Sequence, residues 1–370
     1  MDFSTKVYTT TSLLEFINSD SFKNLKNYPI TIHRALSHIN NPRADADDKI
    51  LYITSNNEEI VGYRLIMVDE IIIDNTKEKI GWYSCVWVNP NYRGKGIAKK
   101  LVQQSLKDWD NKIIFQGPVA ASQKLYYSTG VFNKASLSGF RGYCRFDSNT
   151  IIKAKFPALK PTLFIFKTID SLFNLFGDVL LKSKLSTNNL NKDLIKVVSE
   201  VDEAINTFIN SQNSNNLFKR GIQELNWILK YPWILEQDNM DEVSKNYYFS
   251  SVSKKFEYIN VKFYNENKEL EGFVIYQIRD EHISIQYASF TDNQTEQVVA
   301  MTKELIRTHK INFFSTFDTR LTNYFNKKSN PFLFKKPILR DYYYSKYFDH
   351  YFNENPNLTF ESGDGDMIFT

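Results

Sequence analysis

The chain has 370 residues, 42% hydrophobic and 15% aromatic, which is enough for two domains with separate cores. The formal net charge is only +4 and no basic stripe is visible, which argues against a nucleic-acid-binding protein. The two isolated cysteines, Cys85 and Cys144, exclude a disulfide framework, and no stretch of about 18 apolar residues predicts a membrane span. With no signal-peptide core at the N-terminus, we expect a cytoplasmic protein, and its oligomeric state is left open.

The first part of the sequence predicts helices that alternate with short, mostly antiparallel strands. In chain order we predict a helix after Thr11, strands at 50–54, 60–68 and 81–88, a helix at 96–108, a strand at 113–115, a helix at 120–128 and a strand at 139–146. This order is typical of a mixed α/β (α+β) fold, in which helices flank one mixed sheet.

The rest of the chain divides into a connector and a second globular part. Two prolines, the amphipathic segment 163–181 and a polar run at 186–191 favour a helical connector over 151–195. We therefore predict domains at 1–150 and 196–370. The second domain is predicted to have helices at 202–212 and 218–231, strands at 256–264, 270–279 and 282–290, a helix at 293–309 and a strand at 311–317.

An internal repeat connects the two domains. Residues 56–66 and 265–275 each place a polar hairpin turn before a strand that begins with a glycine and an aromatic residue. Because the elements that follow also occur in the same order, we expect a duplicated fold.

The strongest functional signal follows the strand at 81–88. The strand ends at a proline turn, and a glycine-rich loop then leads directly into the helix at 96–108. Gly94 and Gly96 allow close approach of the backbone to a ligand, and the first amides of a helix have no intrahelical partner. Nearby cations favour an anion, so the loop predicts a diphosphate site. Nucleotide hydrolysis and dinucleotide binding lack their sequence signatures here, because Gly-x-x-x-x-Gly-Lys-Ser/Thr and Gly-x-Gly-x-x-Gly are both absent.

This stretch resembles the GNAT superfamily, whose motif is Arg/Gln-x-x-Gly-x-Gly/Ala after a strand ending in Val-x-Pro. Arg93, Gly96 and Ala98 take the three motif positions. The resemblance implies the acyl-CoA N-acyltransferase fold, with acetyl-CoA as co-substrate and no metal. It also implies a strand that splays from its neighbour and a coenzyme contacted by Val86, Trp87, Val88, Arg93, Gly94, Lys95, Gly96, Ile97 and Ala98.

A second family motif, Phe-Tyr-x-x-x-Gly-Phe, resembles residues 125–132. Tyr126 takes the tyrosine position, which implies a phenol that protonates the leaving thiolate. The family often has an asparagine seven residues upstream, where this chain has Val119, and this departure puts the helix contacts in doubt.

The general base is left open, because the strand 82–88 contains no carboxylate. The alternatives are Asp69, Glu70, a water chain through Ser84, and the aspartates Asp45, Asp47 and Asp48. Cys85 lacks an adjacent histidine and is interpreted as a buried structural thiol.

For the acceptor we expect Asn41, Arg43 and Ser84 to bind substrate, with Trp82 and Trp87 as lining residues. A solvated capping loop is the alternative reading of the segment 33–48. His33 and His38 are spaced i, i+5, which does not bring two imidazoles together on a helix, so no metal is predicted.

The equivalent loop of the second domain, 291–297, has no glycine and no cation. Asp292 and Glu296 would repel a pyrophosphate, so we predict a degenerate GNAT-like unit and a single coenzyme in the N-terminal half. Asp364 and Asp366 lack the other ligands of an EF-hand and are interpreted as part of a turn.

The sequence therefore predicts transfer of an acetyl group from acetyl-CoA to a small-molecule primary amine by direct attack in a ternary complex. The tail and the tryptophans Trp227 and Trp233 resemble GNAT-like proteins of bacterial cell-surface polysaccharide synthesis, which suggests an amino-sugar acceptor. One alternative is a non-catalytic acyl-CoA-binding or assembly module. Another is a FemX-like transferase that uses aminoacyl-tRNA, which would need a basic groove and no coenzyme loop.

Overall fold

A computed structural model describes residues 3–73, 76–118, 120–148, 162, 164–166, 168–174, 190–212, 216–327, 332–355 and 359–370. The chain forms two compact units, each built from segments that are not contiguous in sequence. The first unit comprises Met1–Leu137, Glu200–Phe256 and Arg340–Thr370, and the second comprises Ser138–Ser199 and Glu257–Leu339.

The structure has the predicted mixed α/β character. The strands are β1 (Phe3–Thr9), β2 (Lys49–Asn56), β3 (Glu59–Ile73), β4 (Thr76–Val88), β5 (Ile113–Gln116), β6 (Phe132–Tyr143), β7 (Ile195–Val198), β8 (Leu235–Glu236), β9 (Val252–Ser253), β10 (Phe256–Tyr264), β11 (Leu270–Arg279), β12 (His282–Phe290), β13 (Phe313–Thr316) and β14 (Phe334–Ser345). The helices are α1 (Thr10–Asn18), α2 (Asp20–Lys23), α3 (Ile32–Ile39), α4 (Ile97–Asp108), α5 (Ala120–Thr129), α6 (Glu203–Ser211), α7 (Ile222–Lys230), α8 (Glu242–Asn246), α9 (Thr295–Thr308), α10 (Thr319–Lys327) and α11 (Asp349–Glu354).

In the first unit the strand order is β1-β2-β3-β4-β5-β14, and in the second it is β6-β13-β12-β11-β10-β7. The pairings are mostly antiparallel, but β4–β5 and β12–β13 are parallel. The element order β2-β3-β4-α4-β5-α5-β6 returns as β10-β11-β12-α9-β13-α10-β14. This correspondence is what a duplicated fold predicts.

Both copies have a β-bulge at the same place. Arg64 of β3 lies opposite Val86 of β4, whereas Ile66 lies opposite Tyr83, so β4 carries one extra residue between these pairs. In the second unit the strand β12 has the same irregularity, at Gln286. A bulge sends consecutive side chains to one face of the sheet and re-aims those that follow.

The last strands of the two copies are exchanged. The end of β6 pairs with β13 of the second unit, and the end of β14 pairs with β5 of the first. The units differ from the contiguous domains expected from the sequence because of this exchange and because Glu200–Phe256 belongs to the first unit. The expected connector, 151–195, lies mostly outside the described residues, and its described parts at 164–166 and 168–174 are helical.

The segment Glu200–Phe256 completes the first unit by packing against α3. The indole Nε1 of Trp227 donates to the carbonyl of Ser37 at 2.8 Å, and the ring of Trp233 stacks on His38. The sequence alone does not reveal this packing, because the contacts join residues that are nearly 200 positions apart.

The last residues of the chain lie against β4, and Gly365 makes the closest approach. It has φ +67°, and a Cβ atom at this position would lie 1.8 Å from the ring of Trp82, which is fully buried. We expect Gly365→Ala to destabilise the protein by about 2–4 kcal/mol, because left-handed strain and overpacking add. Urea unfolding followed by tryptophan fluorescence measures this loss.

Gly117→Ala is the matched control for this prediction. Gly117 also has a left-handed φ, +58°, but a Cβ atom there would meet nothing within 4 Å. Its replacement should therefore cost only about 1–2 kcal/mol of backbone strain. Equal losses in the two variants would contradict the contact between Gly365 and Trp82.

Candidate active site

A short turn positions the predicted phosphate loop. After β4, residues Pro90–Tyr92 form one turn of 3-10 helix, which Asn89 caps by accepting the N–H of Asn91 at 3.0 Å. The carboxylate of Glu59 accepts from the Asn89 side chain and from the Tyr92 hydroxyl, both at 2.9 Å. One carboxylate thus holds both ends of the turn that precedes Arg93.

The loop itself exposes a row of backbone donors. Gly94 and Gly96 have φ values of +80° and +79°, which only glycine adopts without strain, and no atom lies within 4 Å of where their Cβ atoms would be. The first helical hydrogen bond of α4 is made by Lys100, to the carbonyl of Gly96 at 3.0 Å. Among the described residues, no hydrogen bond is found for the N–H groups of Gly94, Gly96, Ile97, Ala98 and Lys99.

Charge around these donors is positive. No side chain caps α4 and its first turn holds no acidic residue. Arg93, Lys95, Lys99 and Lys100 are all exposed, and Lys95 lies 4.7 Å from the centre of the Tyr92 ring. Outward-pointing amides, the positive end of the helix dipole and these cations together fit a pyrophosphate group.

The second unit lacks this arrangement. Its 3-10 turn Asp292–Gln294 continues into α9 through right-handed backbone, and Glu296 lies in the first turn of the helix. The buried side chain of Gln294 donates to Glu271 and to the carbonyl of Tyr264. In the second unit, a side chain of the equivalent loop is therefore bonded within the fold.

The strand β4 separates from β5 beside the loop. Their parallel pairing ends at Tyr83 and Phe115, while β4 continues to Val88. Beyond the bulge, Val86 and Val88 are half-buried and lie on the face that carries α4. Trp87 points to the opposite face and stacks on Tyr63, with ring centres 5.3 Å apart. The splayed strand implied by the family resemblance is therefore present.

Tyr126 lies on α5, on the same side of the sheet as α4. It is only 4% exposed and packs against Phe115, with ring centres 4.3 Å apart. Its hydroxyl accepts a hydrogen bond from Nη2 of Arg64 at 2.8 Å. Val119, where the family often has asparagine, lies outside the described residues.

The opposite face of the bulge holds a polar cluster that sequence reasoning missed. Arg34 of α3 donates to both bulge side chains, Ser84 and Cys85, and its guanidinium lies over the ring of Trp233. The Ser84 hydroxyl donates to Oδ2 of Asp366 at 2.6 Å. A carboxylate 282 positions away thus reaches the strand that has none of its own.

Asp366 is held by two further donors. Trp82 Nε1 lies 3.3 Å and Gln116 Nε2 lies 3.5 Å from its Oδ1. The residue is half-buried rather than enclosed. No local signal identified it, because Gly-Asp-Gly-Asp reads as an ordinary turn.

The predicted acceptor-binding residues Asn41 and Arg43 make hydrogen bonds and ion pairs within the protein. Asn41 donates to the carbonyl of Val68 at 2.7 Å and accepts the N–H of Arg43. The Arg43 guanidinium pairs with Asp69 and Glu224. Burial opposes its charged form, but these two carboxylates outweigh burial and raise the pKa of Arg43. Arg43 is thus already ion-paired, and its partner Asp69, one of the candidate bases, is held in the same ion pair.

The network continues to Arg220, which lies 3.7 Å from Asp69 and 3.9 Å from Asp364. Asp69 and Glu224 already balance the guanidiniums of Arg43 and Arg220, so an ionised Asp364 would add an uncompensated negative charge. Burial raises the pKa of Asp364 to about 7 despite the opposing effect of Arg220.

Three other carboxylates considered as bases, Asp45, Asp48 and Glu70, lie in ion pairs. Lys79 pairs with Asp45 and Asp48, and Glu70 lies 3.7 Å from Lys77. Asp366, which the sequence analysis interpreted as part of a turn, is the carboxylate that contacts the bulge within the described residues.

These features define an acyl-CoA N-acyltransferase fold, and known proteins share it. The chain is similar to a conserved protein of unknown function from Enterococcus faecalis V583, a probable N-acyltransferase. The two share 12% identity at a TM-score of 0.51, with 93% of this chain and 72% of that chain covered. At this identity the match shows a common fold.

Two further solved structures are also similar. A GCN5-related N-acetyltransferase from Kribbella flavida has 12% identity and a TM-score of 0.49, with 92% of this chain and 71% of that chain covered. The N-myristoyltransferase of Saccharomyces cerevisiae, solved with myristoyl-CoA, has 8% identity and a TM-score of 0.49, with coverages of 92% and 82%. No curated protein matches the sequence.

Residues 13–130 match the acetyltransferase (GNAT) family. The matched region contains both the glycine-rich loop at 93–98 and Tyr126. Within the described part of the chain, no helix is long and apolar enough to cross a bilayer.

Proposed function

We propose that the protein transfers an acetyl group from acetyl-CoA to a small-molecule primary amine, with an amino sugar as the leading acceptor class. The observation that carries the proposal is the loop Arg93–Ala98, with its two left-handed glycines, unpartnered amides and exposed cations. The GNAT family match over residues 13–130 supports acyl transfer in general.

The residues take the following roles in this proposal. Amides of the loop bind the pyrophosphate, and the backbone of Val86, Trp87 and Val88 binds the pantetheine arm beside the gap between β4 and β5. The amine nitrogen attacks the thioester carbonyl carbon, the carbon–sulfur bond breaks, and the sulfur takes the proton of Tyr126.

An amine arrives mostly as ammonium at neutral pH and has to lose a proton before attack. We propose Asp366 as the acceptor of that proton, through the Ser84 hydroxyl that it already binds at 2.6 Å. This assignment supplies the base that β4 itself lacks. It also weakens the reading of the protein as a non-catalytic module, which depended on that missing carboxylate.

Calorimetric titration with acetyl-CoA tests the first step, and one site per chain is expected because the second unit lacks the loop. An acetylation assay with amino sugars, polyamines and peptides then tests the reaction. Asp366→Asn should bind acetyl-CoA normally and transfer far more slowly. Absence of binding to folded protein would overturn the proposal, whereas binding without transfer to any amine would favour an acyl-CoA-binding module.

A further inference from the structure

Arg64 is a buried cation without a charged partner among the described residues. Its side chain is fully buried in the centre of β3. Only Nη2 has a hydrogen bond, to the Tyr126 hydroxyl, whereas Nε and Nη1 have none within the described chain. No carboxylate of that part of the chain lies within ion-pair distance of the guanidinium.

Such an arrangement is costly, because an unpaired charge loses its hydration on burial. The Tyr83 ring, 3.9 Å from the guanidinium carbon, compensates in part through a cation–π contact. A buried arginine with two idle donors is therefore better suited to hold an anion than to fill space. Leucine or methionine would pack this position at lower cost.

The position of Arg64 identifies the anion. It lies opposite Val86 of β4, on the face that carries α4, next to the strand proposed to bind the pantetheine arm. A sulfur atom that hydrogen-bonds to the Tyr126 hydroxyl lies within two hydrogen-bond lengths of Arg64 Nη2. The thiolate released in the proposed reaction is the anion that forms there.

We propose that Arg64 forms, with Tyr126, an anion site that holds the thiolate of coenzyme A as the carbon–sulfur bond breaks. The bonding electron pair moves to sulfur, where the guanidinium compensates the charge until Tyr126 delivers its proton. Arg64 itself gives up no proton. This inference rests on the proposed function and assigns the leaving-group part of the same site.

The test compares coenzyme A with desulfo-coenzyme A, which lacks only the thiol, by calorimetry between about pH 7 and pH 9. If the site favours the thiolate, coenzyme A binding releases a proton, so its affinity rises with pH relative to that of the desulfo analogue. Each unit by which the site lowers the pKa of the bound thiol increases the affinity ratio by up to about tenfold, a limit reached above the pKa of the free thiol. The thiolate also absorbs in the ultraviolet, which gives a second readout on the same samples.

Arg64→Met should abolish the pH-dependent difference and leave desulfo-coenzyme A affinity within about threefold of wild type. Arg64→Lys keeps the charge and should retain the difference. The ligand-free Arg64→Met protein should unfold at the same or a higher temperature, because a buried unpaired charge is removed. A purely structural arginine would instead give a lower unfolding temperature.

The outcomes separate the two proposals. Failure of both ligands to bind wild-type protein would overturn the proposed function and this inference with it. Binding of both ligands with no pH-dependent difference in the wild type would overturn the inference alone. An equal difference in wild type and Arg64→Met would assign the thiolate to another group.

Discussion

Replacing Gly96 with glutamate is expected to abolish acetyl-CoA binding, with a loss of more than about 100-fold, while the protein stays folded. Gly96 is exposed, and its Cβ would meet no atom within 4 Å, so the substitution disturbs no packing. The backbone at φ +79° adds about 1–2 kcal/mol of strain. The main effect is a carboxylate placed among amides that are proposed to hold a pyrophosphate.

Gly96→Asn is the matched control, because asparagine tolerates the left-handed region and carries no charge. It should bind acetyl-CoA within about tenfold of wild type in the same titration. Circular dichroism and unfolding temperature should be alike in the two variants. Equal losses of affinity would attribute the effect to backbone strain, and unchanged affinity in Gly96→Glu would remove the loop from the proposed site.

Tyr126→Phe should lower kcat about 10²- to 10⁴-fold, the usual contribution of a general acid. Acetyl-CoA affinity should change by less than about threefold, since the phenol is proposed to act on the departing sulfur. The measurement is acetyl transfer to the best amine from the acceptor panel, with binding followed separately. The phenylalanine ring, which lacks only the hydroxyl, still fills the buried space against Phe115, so the fold should survive.

Tyr127→Phe serves as the control for this variant. Tyr127 follows directly in the chain but is 56% exposed, and its hydroxyl contacts Gln123 and Tyr343 rather than Arg64. Its kcat should stay near wild type. A Tyr126→Phe enzyme with unchanged kcat, or with a defect in KM alone, would contradict the assignment of Tyr126 as the acid.

The predictable features of this site are local in sequence. Gly94, Gly96 and the start of α4 are specified by residues that adjoin one another, so the position of the loop and of the helix after it was predicted. The separation of β4 from β5 followed from the family resemblance rather than from periodicity, and the bulge in β4 was not predicted. Phosphate binding by the loop stays a prediction, and the amides without a partner in the described chain are compatible with it.

The unpredicted features depend on distant pairs. Asp366 reaches Ser84 across 282 positions, and Arg43 meets Glu224 across 181. No periodicity relates such residues, so Arg43 was expected at an acceptor site and Asp366 in a simple turn. Arg64 was overlooked for another reason, because a single arginine within an apolar strand reads as a surface residue until its burial is known.

The exchange of β6 and β14 affects how the protein is made. During synthesis, β5 emerges more than 200 residues before the end of β14, which pairs with it on the side away from β4. The nascent first repeat therefore exposes an open sheet edge during that interval. We therefore expect folding of the first unit to depend on synthesis of the second repeat. The second repeat, which lacks the glycine-rich loop, thus supplies β14, the strand that pairs with β5 of the first unit.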